Sequence, residues 1–172
     1  MTDNDGAVIM ALRLYDTGSR SKRRVEYQGD ALTIYACGIT PYSDSHIGHA
    51  RQAIAFDILV RWLRSQNVPV KYVTNFTDVS DTIIEAAEKE GVDYTVISNR
   101  YITGYRKSMK RLNVLDADAY PRVTESIDGI ISMITTLVEK GHAYQGDDGV
   151  YFEIETAPEK YGYLTGQTLE MV

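Results

Sequence analysis

The sequence predicts an α/β protein: the first half of a doubly wound, Rossmann-like parallel sheet, followed by a mainly helical segment with a β-hairpin. Three observations predict it. "ALTIYAC" (residues 31–37) is a β-rich run that stops at Gly38. A long stretch of helical periodicity begins at Ile47 and runs to about Ser65. "VPVKYVTNF" (68–76) then reads as a second strand. Strand, long helix and strand imply a parallel pair joined by a right-handed crossover, the unit from which nucleotide-binding sheets are built. Two strands do not complete such a sheet.

The other elements follow in order. "MALRLYDT" reads as a short strand ending at Asp16, and "SRSKRRVEYQGD" as a loop or hairpin turning at Gly29-Asp30. In the long helix, Ile47, Ala50, Ile54 and Ile58 fall on one face, and Leu59, Trp62 and Leu63 widen it. Asp57, Arg61 and Arg64 leave a narrow polar stripe. A helix apolar around most of its circumference is expected to be buried on several sides. "TIIEAAEKEG" is a short helix with a glycine stop; "YTVISNRYITGYRKSMKRLNV" and "TESIDGIISMITTLVEKG" are longer ones. "HAYQGDDGVYFEI" has the form of a hairpin turning at Asp147-Asp148-Gly149. Residues 1–115 thus hold the strand–helix–strand half of the sheet, and residues 116–172 a mainly helical remainder with the hairpin.

Composition narrows the class. The chain has 172 residues, 44% hydrophobic and 24% charged, as soluble globular domains do. No apolar run has the length of a membrane helix, and the acidic start "MTDNDGAVIMALRLYD" does not read as a secretory signal. A single cysteine forms no internal disulfide, so a cytoplasmic location is expected. The net charge of -6 argues against broad, non-specific nucleic-acid binding. The basic clusters "RSKRR" (20–24) and "YRKSMKR" (105–111) read as a solvated loop and a solvated helix face.

Chemistry concentrates in "CGITPYSDSHIGHAR" (37–51), which holds the only cysteine and two of the three histidines. Gly38 sits where the chain must turn after a strand. His46 and His49, three residues apart, open the helix, where free N–H groups and a partial positive charge attract phosphate. Gly48 between them lets a ligand approach the backbone. Two imidazoles and a helix start can stabilise charge that develops on a reacting phosphate. The same residues also fit a blander reading, with structural histidines and Cys37 as a small core residue at a strand end. His-x-x-His as a metal pair supplies only two ligands.

The stretch resembles the cysteinyl-tRNA synthetases, a class I aminoacyl-tRNA synthetase family. His46-Ile47-Gly48-His49 is similar to the signature tetrapeptide of that class, and the whole segment to the pattern C-G-x-T-x-Y-x-x-x-H-I-G-H-x-R. "AFDILVRWLR", "VKYVTNFTDVSDTII", "YPRVTESI", "KGHAY", "GVYFEI" and "KYGYLTGQTL" continue the likeness in the same order, from residue 12 to residue 169. The resemblance implies a HUP-type Rossmann-like domain. It implies an ATP-dependent, AMP-forming ligase that makes cysteinyl-adenylate and passes the cysteinyl group to tRNA in protein biosynthesis. His46 and His49 would be catalytic and contact the ATP phosphates. Gly38, Tyr42 and Gly48 would complete the ATP site. Cys37, Gly38, Thr40, Asn75, Phe76 and Thr77 would line the cysteine side, and Cys37 would be one zinc ligand.

The departures set further expectations. The family pattern T-D-x-D-D-K stands here as Thr77-Asp78-Val79-Ser80-Asp81-Thr82, without one acid and the lysine. The resemblance makes residues 1–115 the first half of the nucleotide-binding catalytic domain and residues 116–172 the start of the connective insertion, and the chain is expected to end inside that insertion, before the remaining zinc ligands, the K-M-S-K-S loop and the anticodon-binding helices. It should therefore bind ATP weakly, charge little tRNA and hold zinc poorly, unless a partner chain or a homodimer completes the site. Two alternatives stand beside the ligase fragment. One is a free-standing paralogue that binds a nucleotide or adenylate without charging tRNA. The other is a relative of the mycothiol-pathway cysteine ligase, which shares "CGITPY"; Ile47 and Arg51 lean toward the tRNA enzymes. A non-enzymatic module that kept only the fold would have a degraded phosphate loop, and this loop is intact.

Overall fold

The computed structural model describes residues 7–158 and 160–167. The described chain forms two compact units. The first contains Glu26–Ser126; the second contains Ile9–Val25 and the described residues from Ile127 onward. By packing, the division thus falls after Ser126, whereas the sequence places it after residue 115. Residues 118–123 account for this difference, because they pair with the sheet of the first unit.

That sheet is built on β3 (Leu32–Ile39) and β4 (Val70–Phe76), which run parallel with Leu32 opposite Val70 and Ala36 opposite Thr74. The crossover between them is the 19-residue α1 (Ile47–Ser65). A third segment, residues 118–123, lies parallel along the other edge of β4 through bridges at Val73–Ala119 and Phe76–Arg122. Its hydrogen bonds are regular: the Thr74 N–H donates to the Ala119 carbonyl at 3.2 Å and the Phe76 N–H to Pro121 at 2.9 Å. Pro121 lacks an N–H, which suits it to an edge position. The sheet therefore has three parallel segments with β4 in the middle, one more than the sequence predicts.

Helix α1 buries only part of the face its periodicity suggests: Ala50 and Leu63 of that set are buried, and Ala53 and Val60 join them from outside it, whereas Ile47 is 86% and Ile58 62% exposed. The two alanines share a core cluster with Met109 of α3 (Tyr94–Arg111), with Tyr105 and Val114 packed against it. Small side chains permit that close approach, which the bulkier isoleucines would prevent. The polar stripe is not a solvent stripe either. Asp57 pairs with Arg61 at 2.8 Å and accepts the Leu115 N–H at 2.9 Å. Arg61 donates to the Asn113 carbonyl at 2.6 Å, and Arg64 pairs with Asp118 at 3.1 Å.

Helix α2 (Asp81–Glu90) starts at Ser80, whose Oγ accepts the Ile83 N–H, and stops at Gly91 in the left-handed region at φ 66°. Its Ile83 and Ala87 pack on Ile97 of α3. The site-bearing end of the sheet rests on Ile39, Phe76 and Ile102, with Tyr105 and Tyr120 beside them. Phe76 stacks on Tyr120 with ring centroids 5.2 Å apart.

The second unit contains most of the hairpin formed by β1 (Ala7–Asp16) and β2 (Ser21–Tyr27). It also contains α4 (Ile127–Glu139) and the hairpin of β5 (Ala143–Gln145) with β6 (Val150–Phe152). Gln145 pairs with Val150, so the turn occupies residues 146–149, around the predicted Asp147-Asp148-Gly149. The Arg20–Arg24 cluster is exposed at the start of β2. Residues 168–169, the end of the last family-like segment, lie outside the described residues. Among the described residues no helix is long and apolar enough to cross a membrane.

Candidate active site

The two ends of the β3–α1 connection are held differently. At the β3 end the register slips: Ala36 faces Thr74 and Ile39 faces Phe76, so Cys37 and Gly38 together oppose Asn75. This is a β-bulge, the device that re-aims a strand next to a site. Gly38 is obligatory there for space, because a Cβ at this position would lie 1.6 Å from the Asn75 carbonyl oxygen. The Gly38 N–H donates to Asn75 Oδ1 at 2.8 Å, and pairing resumes where the Thr77 N–H donates to the Ile39 carbonyl at 2.9 Å. Pro41 is fully buried and anchors the connection, while Tyr42 is exposed.

At the α1 end the two signature histidines cap the helix for each other. His46 is the N-cap residue, in extended conformation, and its Nδ1 accepts the Gly48 N–H at 3.1 Å. His49 Nδ1 accepts the His46 N–H at 3.3 Å. Both Nδ1 atoms act as acceptors of backbone protons, so each neutral ring carries its own proton on Nε2. The rings stack with centroids 3.9 Å apart and planes inclined by 21°. The pair therefore offers two Nε2–H donors at the positive end of a helix. Burial, and then the neighbouring His46, push the His49 pKa below its ordinary value, which favours the neutral donor form. Beneath His49 lies Tyr105, edge-on at 6.5 Å. Burial, then Tyr120 and Tyr72, push the Tyr105 hydroxyl up to about 12, so it stays neutral at physiological pH.

Each predicted residue has a definite place. Gly38, Asn75 and Thr77 come together where β3 and β4 end, and Thr40 follows half-buried. Phe76 is 3% exposed in the core beneath them. Cys37 is exposed and not a core residue: alternation along β3 puts it on the outward face with Thr33 and Tyr35, away from the buried Ala36. Its carbonyl accepts from Gln52 Nε2 of α1 at 2.6 Å. Among the described residues no three His, Cys, Asp or Glu side chains gather as a metal site. The residues described here thus do not fit a zinc ion, and Cys37 alone could be one ligand of such a centre.

Sequence reasoning missed a buried carboxylate next to the site. Asp78, 2% exposed, accepts from the Thr124 N–H at 3.1 Å and the Thr124 hydroxyl at 2.7 Å. Arg122 lies 3.7 Å from it and also donates to Asn99 at 2.8 Å. The signal was present: Asp78 is one of the two acids, with Asp81, kept from the family pattern. The two departures from that pattern face each other, with Ser80 and Thr82 hydroxyls 2.8 Å apart. A small polar pair replaces the missing acid and lysine, and Ser80 still caps α2.

Comparison with known proteins identifies the family. The family model described as tRNA synthetases class I (C) catalytic domain matches residues 24–172. The chain is 44% identical over 162 residues to a cysteine–tRNA ligase of Pelobacter propionicus, covering 94% of this chain and 33% of that relative. A cysteine–tRNA ligase of Pyrococcus horikoshii is also 44% identical, with 94% and 34% covered. The chain thus spans about a third of the length of the curated relatives it matches. Among solved structures, Mycobacterium tuberculosis methionyl-tRNA synthetase bound by methionyl-adenylate has the same fold. It matches at TM-score 0.60 and 21% identity, over 67% of this chain and 23% of that one. A parallel sheet whose first crossover helix opens on a stacked histidine pair, and a family match over most of the sequence, lead to one conclusion: the chain belongs to the class I (C) tRNA synthetases, within their catalytic domain.

Proposed function

We propose that this chain forms the ATP- and cysteine-facing half of a cysteine–tRNA ligase site. The observation that carries the reading is the reciprocal cap of His46 and His49, which leaves two Nε2–H donors at the start of α1. The cysteine carboxylate attacks the α-phosphorus of ATP. A carboxylate oxygen–phosphorus bond forms, the bond to the bridging oxygen breaks, and pyrophosphate leaves. The two Nε2–H groups donate to phosphate oxygens as charge builds on them, and donors fixed beforehand cost no reorganisation in the transition state. Gly48 and Tyr42 lie along the nucleotide, while Gly38, Thr40 and Thr77 form the floor of the cysteine side. Transfer to tRNA is the second step, and a cytoplasmic location follows from that role.

Isothermal titration with a non-hydrolysable cysteinyl-adenylate analogue tests the reading. Weak but saturable binding is expected, reduced by His46→Ala. An absence of binding of both ATP and the analogue would overturn it. The alternative, a paralogue that holds the adenylate without charging tRNA, has the same pocket; it is separated from the ligase reading by whether a form of the protein that carries the rest of the catalytic domain charges cysteine tRNA.

A further inference from the structure

We propose that Asn75 is a positioning residue, whose side-chain amide holds the Cys37–Gly38 bulge and thereby fixes the direction in which Cys37 faces the ligand. The sequence suggests a different role, direct contact with the amino acid. The hydrogen bonds favour positioning. Asn75 Oδ1 accepts two protons, from the Gly38 N–H at 2.8 Å and from the Tyr35 hydroxyl at 3.0 Å. Its Nδ2 donates to Thr77 Oγ1 at 3.2 Å. An amide oxygen has two lone pairs, so both are spent, and only one N–H of the amide is left. The orientation of the amide is fixed, because the Gly38 N–H can only donate.

The amide stands where the ladder is broken. Two residues of β3 face one residue of β4, so a backbone donor at the bulge lacks a strand partner. Asn75 supplies that partner from its side chain. From the other side, Gln52 Nε2 of α1 holds the Cys37 carbonyl at 2.6 Å. The single Cys37–Gly38 peptide is thus clamped at both its carbonyl and its N–H, on opposite sides, while Cys37 itself is exposed. No residue with a side chain fits at Gly38 without a shift of the backbone, because its Cβ would lie 1.6 Å from the Asn75 carbonyl oxygen. The consequence for ligand binding rests on the cysteinyl-adenylate reading above; the clamp itself does not.

Two readouts on the folded protein decide the matter. Amide hydrogen exchange by NMR reads the Gly38 N–H directly. Cys37 is the only thiol in the chain, so the rate of its reaction with a neutral aromatic disulfide reads its placement. Asn75→Leu should speed Gly38 exchange about tenfold, the scale of one lost hydrogen bond, and shift the Cys37 rate several-fold. Asn75→Asp keeps both acceptor functions and should restore both values toward wild type. A merely structural role for Asn75 would lower stability and leave the reactivity of an already exposed thiol unchanged. Fast Gly38 exchange in the wild-type protein, which needs no variant to fold, would overturn the proposal; so would an Asn75→Leu protein with an unaltered Cys37 rate. Titration with the adenylate analogue separates the two readings. If the wild type does not bind it while Gly38 and Cys37 behave as expected, the ligase reading fails and the clamp stands.

Discussion

His46 and His49 each accept the backbone proton that the other end of the turn leaves free, and their rings stack at 3.9 Å. In the usual capping box a hydroxyl residue and a glutamate or glutamine do this work. Here two imidazoles do it, at Nδ1, and keep Nε2–H for a ligand. Structure and chemistry are thus divided between the two nitrogens of each ring.

The division predicts a pH dependence of stability. Burial lowers the His49 pKa below the ordinary value of 6.5, and His46 adds to the effect. The unfolded chain then binds a proton at higher pH than the folded one, so stability rises with pH through that range. The contribution is fully present above the ordinary histidine value and is lost as pH falls below it toward the lower folded value. Urea midpoints measured from about pH 7.5 down to about pH 5 should fall more steeply for the wild type than for His49→Gln. Glutamine keeps the capping acceptor and does not titrate. Parallel profiles would show that His49 does not carry the slope.

Gly48→Ala should separate folding from ligand binding. Inside a helix alanine is favoured over glycine by about 0.8–1.0 kcal/mol. The added Cβ, however, would lie 2.9 Å from His46 Cε1 and 3.0 Å from its Nδ1. The ring must move away from the cap and from its stack on His49. Stability by urea denaturation should change by less than about 1 kcal/mol, because the two effects oppose each other. Affinity for ATP should fall about tenfold, as for one displaced donor. Unchanged affinity would place the phosphates elsewhere.

The strand–helix–strand unit was legible because periodicity changes sharply across Gly38, and the helix bounds at Ile47 and Ser65 came out as read. The histidines were legible through their spacing and their glycine. What α1 buries was legible only in part. The apolar face runs through Ile47, Ala50, Ile54 and Ile58; packing keeps Ala50, adds Ala53 and leaves Ile47 and Ile58 exposed. Residues 118–123 carry two aspartate-or-proline breaks and no alternation, so their strand character comes only from pairing with β4. The bulge at Cys37 was equally hidden, since one extra residue in a strand leaves no mark in composition. The exposure of Cys37 needs no bulge: it follows from alternation along β3, which puts Cys37 on the outward face with Thr33 and Tyr35.

Asp78→Ala should cost about 1–3 kcal/mol, the penalty for leaving buried donors unsatisfied. The Thr124 N–H and hydroxyl both lose their acceptor. Arg122 is less affected: its side chain is 30% exposed and keeps its bond to Asn99. Asp78→Asn should cost less, because one oxygen still accepts from Thr124. The measurement is the urea midpoint of each variant. Equal losses in both would mean that the Arg122 charge, not the Thr124 bonds, dominates at this carboxylate.

The last prediction concerns zinc, which the family resemblance assigns to Cys37. A zinc centre takes three or four protein ligands at about 2.0 to 2.3 Å. Cysteine and histidine supply only Cys37, His46, His49 and His142 in this chain. His46 and His49 spend Nδ1 on backbone protons, and their Nε2 atoms lie at the helix start where phosphate is favoured. His142 Nδ1 is 2.8 Å from the Thr156 hydroxyl in the second unit. Zinc held by Cys37 alone would be in fast exchange. Protein purified without chelator should therefore contain well below one zinc per chain by elemental analysis, and its Cys37 should react freely with thiol reagents. Addition of a longer form of the chain, or of a partner that carries further ligands, should raise the zinc content and slow that reaction together. A content near one zinc per chain in the isolated protein, lost on Cys37→Ala, would show that residues other than these complete the site.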